Sequence, residues 1–142
     1  MFRSVPVRGG ELSVEVLPAA TDPVLAIHGV SSNCRLWNWF RAEAPEISLV
    51  APDLRGRARS VAVPGPSSLA QHAEDMVAVL DELGIDRVTV CGMSMGGFVA
   101  VALATACPER VRDVVLVDGG LPMVTAEGLT EDGGRAAFAA IA

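Results

Sequence analysis

The sequence predicts an α/β fold: a three-layer sandwich on a mainly parallel sheet, opened by an antiparallel hairpin. Three observations predict it. A cleanly alternating stretch follows a Gly-Gly turn signal near the N-terminus. Four short apolar runs then recur along the chain. Helical patterns fall between several of them.

The alternating stretch is Glu11 to Val16. Leu12, Val14 and Val16 share one face, and Glu11, Ser13 and Glu15 the other, as in a half-buried strand. Gly9-Gly10 marks a tight turn before it, so Arg3 to Arg8 is its expected hairpin partner. Pro6 lacks an N–H for a ladder bond, which places that first strand at a sheet edge. The later runs are Val24–Ile27, Ile47–Val50, Val88–Cys91 and Val111–Val117. Each is mostly apolar on both faces, as buried parallel strands are.

The clearest helix spans Leu69 to Leu83. Leu69, Ala73, Met76, Leu80 and Leu83 form one face, and Gln71, Glu74, Asp75, Asp81 and Glu82 are expected largely away from it. His72, beside Gln71 in the first turn, is expected to be solvated. Ser68 with Gln71 forms a capping-box pattern, and Gly84 suits the position just past the helix. A second, uncharged helical run covers Phe98 to Cys107.

At 142 residues the chain fits one domain of ordinary size. A hydrophobic fraction of 51% and a net charge of −6 exclude a disordered chain and argue against a general nucleic-acid binder. All 11 basic residues are Arg. The N-terminus shows no apolar signal region, and the longest uncharged apolar stretch, Met95 to Cys107, is too short to span a bilayer. Cys34, Cys91 and Cys107 are widely spaced, and no pair has metal-ligand spacing. These features predict a cytoplasmic protein with reduced thiols, no metal, no cofactor and no membrane partner.

The chemical centre is Gly92-Met93-Ser94-Met95-Gly96, a Gly-x-Ser-x-Gly pattern. The bare pattern is common. Here an apolar strand precedes it and a helical run follows, which is the setting of a nucleophile elbow. Such a turn holds the Ser94 hydroxyl clear of the backbone. Gly92 and Gly96 let neighbouring elements approach closely. The helix start directs free N–H groups and a positive dipole end toward developing negative charge, with the Met95 N–H as a donor. The bland alternative is a Gly-rich turn that only permits packing. A second feature is His28-Gly29, directly after the strand ending at Ile27.

With these pieces the chain resembles the N-terminal part of an α/β-hydrolase-fold protein, of the group that includes small esterases, enol-lactone hydrolases and cofactor-free haloperoxidase-like enzymes. The matching segments are His28-Gly29, Ala51-Pro52-Asp53-Leu54-Arg55-Gly56, the capped helix Ser68 to Gly84, Gly92 to Gly97, and Arg110 to Asp118. They stand in family order over residues 1 to about 120. The family often continues Arg-Gly with His-Gly; here Arg57-Ala58 stands instead.

The resemblance implies a serine hydrolase for a small ester, lactone or related acyl substrate. Ser94 would attack, and the N–H groups of Met95 and Val30 would hold the oxyanion, with His28 and Gly29 supporting the loop. It also implies the order Ser, acid, His. Both histidines, His28 and His72, precede Ser94. Asp118 is the candidate acid, set against a reading as a strand-end turn residue. Asp53, which precedes the nucleophile, is read as structural. Trp37 and Met93 are candidate pocket walls, with core packing as the alternative for Trp37. Arg55, Arg57 and Arg59 either attract a carboxylate or form a solvated loop, with Arg55 bracing the turn.

About six of the usual eight strands are expected here. Residues 1–120 would then be the N-terminal part of the core, and 121–142 the start of a cap or lid region, cut short. Val114–Val117 would form an apolar edge open to self-association or to a complementing chain. The competing function is a non-catalytic α/β-hydrolase domain that binds a ligand or partner. Nucleotide binding is disfavoured, since neither Gly-x-Gly-x-x-Gly nor any Lys occurs.

Overall fold

A computed structural model describes residues 1–65 and 67–121. Six strands form one sheet: β1 (Phe2–Val7), β2 (Gly10–Leu17), β3 (Val24–Ile27), β4 (Leu49–Pro52), β5 (Val88–Met93) and β6 (Val111–Val117), in the order β1-β2-β4-β3-β5-β6. β1, β2 and β4 pair antiparallel; β4, β3, β5 and β6 pair parallel. The mixed sheet and its N-terminal hairpin are therefore as the sequence predicts, with Pro6 on the outer strand.

Strand alternation feeds two cores. Leu25, Ile27, Val50, Val88 and Val90 face α2 (Leu69–Glu82) and α3 (Met95–Ala106), where Met76, Val79, Leu80, Val99 and Leu103 close the larger core. Ala26, Leu49 and Ala51 point the other way, onto Cys34 and Trp37 of a 3-10 turn that leads into the short helix α1 (Asn38–Glu43). A sheet filled from both sides needs apolar residues at successive positions, which explains the continuous apolar runs.

One strand starts later than expected, and one helix cap is half formed. β4 starts at Leu49 rather than Ile47, because Ser48 is committed elsewhere. Its N–H donates to Thr21 Oγ1, its hydroxyl donates to the Thr21 carbonyl, and its own carbonyl accepts from Val24. The start of α2 is capped by Ser68, whose hydroxyl accepts from the Gln71 N–H at 3.1 Å. The reciprocal half of the box is missing: the Gln71 amide turns to Glu74 and Asp75 instead.

The polar face of α2 is also corrected. Gln71, His72 and Asp75 are buried, where the helical pattern places them largely in solvent. The cause is Arg55, itself buried, which forms a bidentate pair with Asp75 at 2.7 and 2.8 Å. The same guanidinium donates to the carbonyls of Arg8 and Pro64. Arg55 thus braces the loop after β4 against α2 and the β1–β2 turn. His72 lies beside this pair, fully buried, and neither ring nitrogen has a partner among the described residues. Burial, reinforced by the Arg57 charge, pushes its pKa down to about 4.

β6 pairs only with β5 among the described residues, and Val114 and Val115 are exposed. No helix of the described residues is long and apolar enough to cross a membrane. The expected cap segment lies outside the described residues apart from Leu121.

Candidate active site

Ser94 stands between β5 and α3 with φ +51° and ψ −118°. This is a sparsely populated conformation for a residue with a Cβ, and it costs on the order of 1–3 kcal/mol. Its surroundings impose it. The Ser94 N–H donates to the Val117 carbonyl at 2.9 Å, and its carbonyl accepts from the Gly97 N–H at 2.9 Å. A Cβ on Gly92 would overlap the Gly96 carbonyl, and one on Gly96 would overlap the Ile27 carbonyl. The turn is tight because β3, β5 and the first turn of α3 touch backbone to backbone.

The Ser94 N–H is spent on β6, so the first free amide at the helix start is that of Met95. The first N–H of a helix has no acceptor within the helix. It is joined by the dipole of α3, a helix of 12 residues.

The loop after β3 lies against the same turn: a Cβ on Gly29 would come 3.3 Å from Ser94 Cβ. His28 is fully buried and uses both ring nitrogens. Nε2 accepts from the Leu54 N–H at 3.0 Å, so the proton resides on Nδ1, which donates to the Gly29 carbonyl at 2.7 Å. Burial lowers its pKa, and the Gly29 bond opposes that only in part. A neutral imidazole with both nitrogens engaged is a brace rather than a base. The Gly29 carbonyl also accepts from Ser32 at 3.2 Å. In a trans peptide the C=O and the following N–H point in opposite directions. Fixing the Gly29 carbonyl therefore fixes the direction of the Val30 N–H.

Asp53 is buried and accepts from the N–H groups of Cys34 at 2.8 Å and Arg59 at 3.2 Å. It ties two loops together. Burial of Cys34, with the Asp53 carboxylate beside it, pushes the thiol up to about 12, so Cys34 stays protonated. Arg59 stacks over the Phe2 ring at 4.1 Å and lies 3.8 Å from the Asp53 carboxylate.

Trp37 is buried in the smaller core, with Met93 half-buried against the same cluster. Asp118 is exposed at the end of β6 with φ +49°, a turn conformation. Its neighbour Gly119 abuts Ser94, since a Cβ there would overlap the Ser94 carbonyl. The structure thus brings Gly29, Val30, Met95 and the Asp118–Gly119 turn around Ser94. It places His28 and His72 in buried positions apart from that role. Among the described residues no three His, Cys, Asp or Glu side chains cluster to hold a metal ion. Arg57, read from sequence as a lure for carboxylates or a solvated loop residue, donates to the Val30 and Arg55 carbonyls. The sequence signal at this position was the Arg57-Ala58 departure from the family pattern.

A family model described as the alpha/beta hydrolase fold matches residues 22–140. The lipase LipV of Mycobacterium tuberculosis is 39% identical over 111 residues, spanning 78% of this chain and 41% of the lipase. A thermophilic esterase from Thermogutta terrifontis superposes with a TM-score of 0.75 at 27% identity, covering 90% of this chain and 49% of the esterase. The N-acyl homoserine lactonase AidH superposes with a TM-score of 0.77 at 26% identity, covering 92% and 48%. The chain spans between 30% and 42% of the length of the curated relatives it matches.

Proposed function

Because the chain belongs to the α/β-hydrolase fold family, we propose that it carries the nucleophile half of a serine hydrolase for a small ester, lactone or related acyl substrate. The observation that carries this is the Ser94 backbone at φ +51°, held between β5 and α3. Strain of that kind persists only where surrounding structure enforces it, and it clusters at functional sites. Lipase, esterase and lactonase relatives support the acyl class.

In this reading Ser94 Oγ attacks the acyl carbonyl. The Met95 and Val30 N–H groups receive the oxygen as it becomes an anion, with His28 fixing the second donor. Preorganised donors of this type are worth about 100-fold or more each in rate. Met93 lines the acyl side, while Trp37 packs in the smaller core beneath it. A base must take the Ser94 proton, and neither His28 nor His72 is placed to do so, so the His acts from outside these 142 residues. The acid comes from the same source or from Asp118. Residues 1–120 would then form the core, with the cap beginning at 121. The Val114–Val117 edge is the surface through which a second copy or a complementing chain would add strands. Free Cys34, Cys91 and Cys107 suit a cytoplasmic setting.

The burial of both histidines favours one second reading, a domain that binds an acyl ligand without turnover. Treatment with a fluorophosphonate probe separates the two. The hydrolase reading expects labelling that Ser94→Ala abolishes. Labelling that persists in Ser94→Ala overturns Ser94 as nucleophile, and an unreactive wild type shows that these residues alone do not activate Ser94.

A further inference from the structure

We propose that Arg57 is a positioning residue that ties the Gly29–Val30 loop to the start of α3, and so sets the spacing of the two oxyanion donors. This rests on the hydrolase reading above. The sequence offers Arg57 as a solvated loop residue or a lure for carboxylates. The structure gives its guanidinium three partners on three segments. Nε donates to the Val30 carbonyl at 2.8 Å. Nη1 donates to the Arg55 carbonyl at 3.0 Å. Nη2 reaches Met95 Sδ at 3.7 Å.

Val30 and Met95 are the two residues whose amides would face the oxyanion, and one side chain touches both. The Val30 N–H lies in the peptide before its α-carbon, whose carbonyl His28 pins. The carbonyl that Arg57 holds lies in the peptide after it. Val30 is therefore clamped from both sides, although its own side chain is exposed. The charge-assisted bond to the carbonyl supplies most of the hold. The thioether is a weak acceptor, so the Met95 contact fixes direction more than energy.

Arg57 can act as a strut because its own backbone is fixed. Its N–H donates to the Leu54 carbonyl at 3.0 Å, and its carbonyl accepts from Ser60 at 2.8 Å. Leu54 in turn donates to His28, and Arg55 is locked to Asp75. The planar fork of a guanidinium can span two acceptors at fixed angles, which a lysine ammonium cannot. The same positive charge lies beside the place where negative charge would develop, which adds to the field of the helix start.

Two readouts on the full chain test this, with Arg57→Met and Arg57→Lys. The first needs no activity. Losing the bond to the Val30 carbonyl should shift the backbone nitrogen of Ser31, which shares that peptide, and the Met95 methyl. These should be the largest nuclear magnetic resonance changes outside residues 55–59 in Arg57→Met. If both signals stay put in a folded variant, the strut is refuted. The second is the rate of fluorophosphonate labelling at Ser94. Arg57→Met should slow it by about tenfold or more, as misplacement of reacting groups does. Arg57→Lys should keep the wild-type melting temperature and recover only part of the rate. A rate within twofold of wild type in Arg57→Met overturns the positioning role while leaving the hydrolase reading intact. A wild type that does not label shows that these residues alone do not activate Ser94, and the strut is then decided by the Ser31 and Met95 signals.

Discussion

Replacing His72 by Leu should make the fold more resistant to acid, by an amount the structure sets. His72 is fully buried against the Arg55–Asp75 pair, and its pKa falls from 6.5 to about 4. The folded chain thus binds that proton more weakly than the unfolded chain. Between pH 6.5 and pH 4 the unfolded state holds more protons, so stability drops as pH is lowered. At pH 7 both states are mostly neutral and the effect is small. By pH 5 the unfolded state is almost wholly protonated at this site and the folded state is not, a cost of ~2 kcal/mol. His28, also lowered by burial, acts in the same direction. Urea unfolding of wild type and His72→Leu at pH 7 and pH 5 reads the difference. The variant should lose about 2 kcal/mol less than wild type over that interval. With only two histidines in the chain, proton resonances report each pKa directly. A pH-independent gap between the two proteins, or a His72 pKa near 6.5, would refute its burial.

Further outcomes follow from the same contacts. Asp75→Ala leaves the Arg55 charge buried and unpaired, and should cost about 3–5 kcal/mol in urea unfolding; Arg55→Met with Asp75→Leu should recover most of it. Gly96→Ala drives a methyl into the Ile27 carbonyl, where backbone cannot yield cheaply, and should lose about 3 kcal/mol or fail to fold by circular dichroism. Ser94→Gly, free of the Cβ that makes φ +51° costly, should be about 1 kcal/mol more stable than Ser94→Ala. Equal stability of those two variants would remove the strain on which the elbow rests.

The strands and the turn at Ser94 were legible because their signals are local. Leu12, Val14 and Val16 alternate within six residues, and Gly92 to Gly96 sit directly between an apolar run and a helix. What stayed hidden depends on partners distant in sequence. Asp75 reads as a surface acid on a helix until Arg55, 20 positions away, is brought against it. His72 follows Asp75 into the interior for the same reason. Arg57 resembles its neighbours Arg55 and Arg59 in sequence, yet one is a buried brace, one caps an aromatic ring, and Arg57 reaches Val30 and Met95. Periodicity sees none of these differences, since they are decided by which loops meet. The Asp53 bonds to the amides of Cys34 and Arg59 are of the same kind.

The central claim is that the backbone turn at Ser94 presents a nucleophile. Its most direct test is to react the 142-residue chain with a fluorophosphonate, digest it, and locate the adduct by tandem mass spectrometry. A single phosphonyl group on Ser94, lost in Ser94→Ala, is the predicted result. An adduct on any other residue, or one retained in Ser94→Ala, would contradict it.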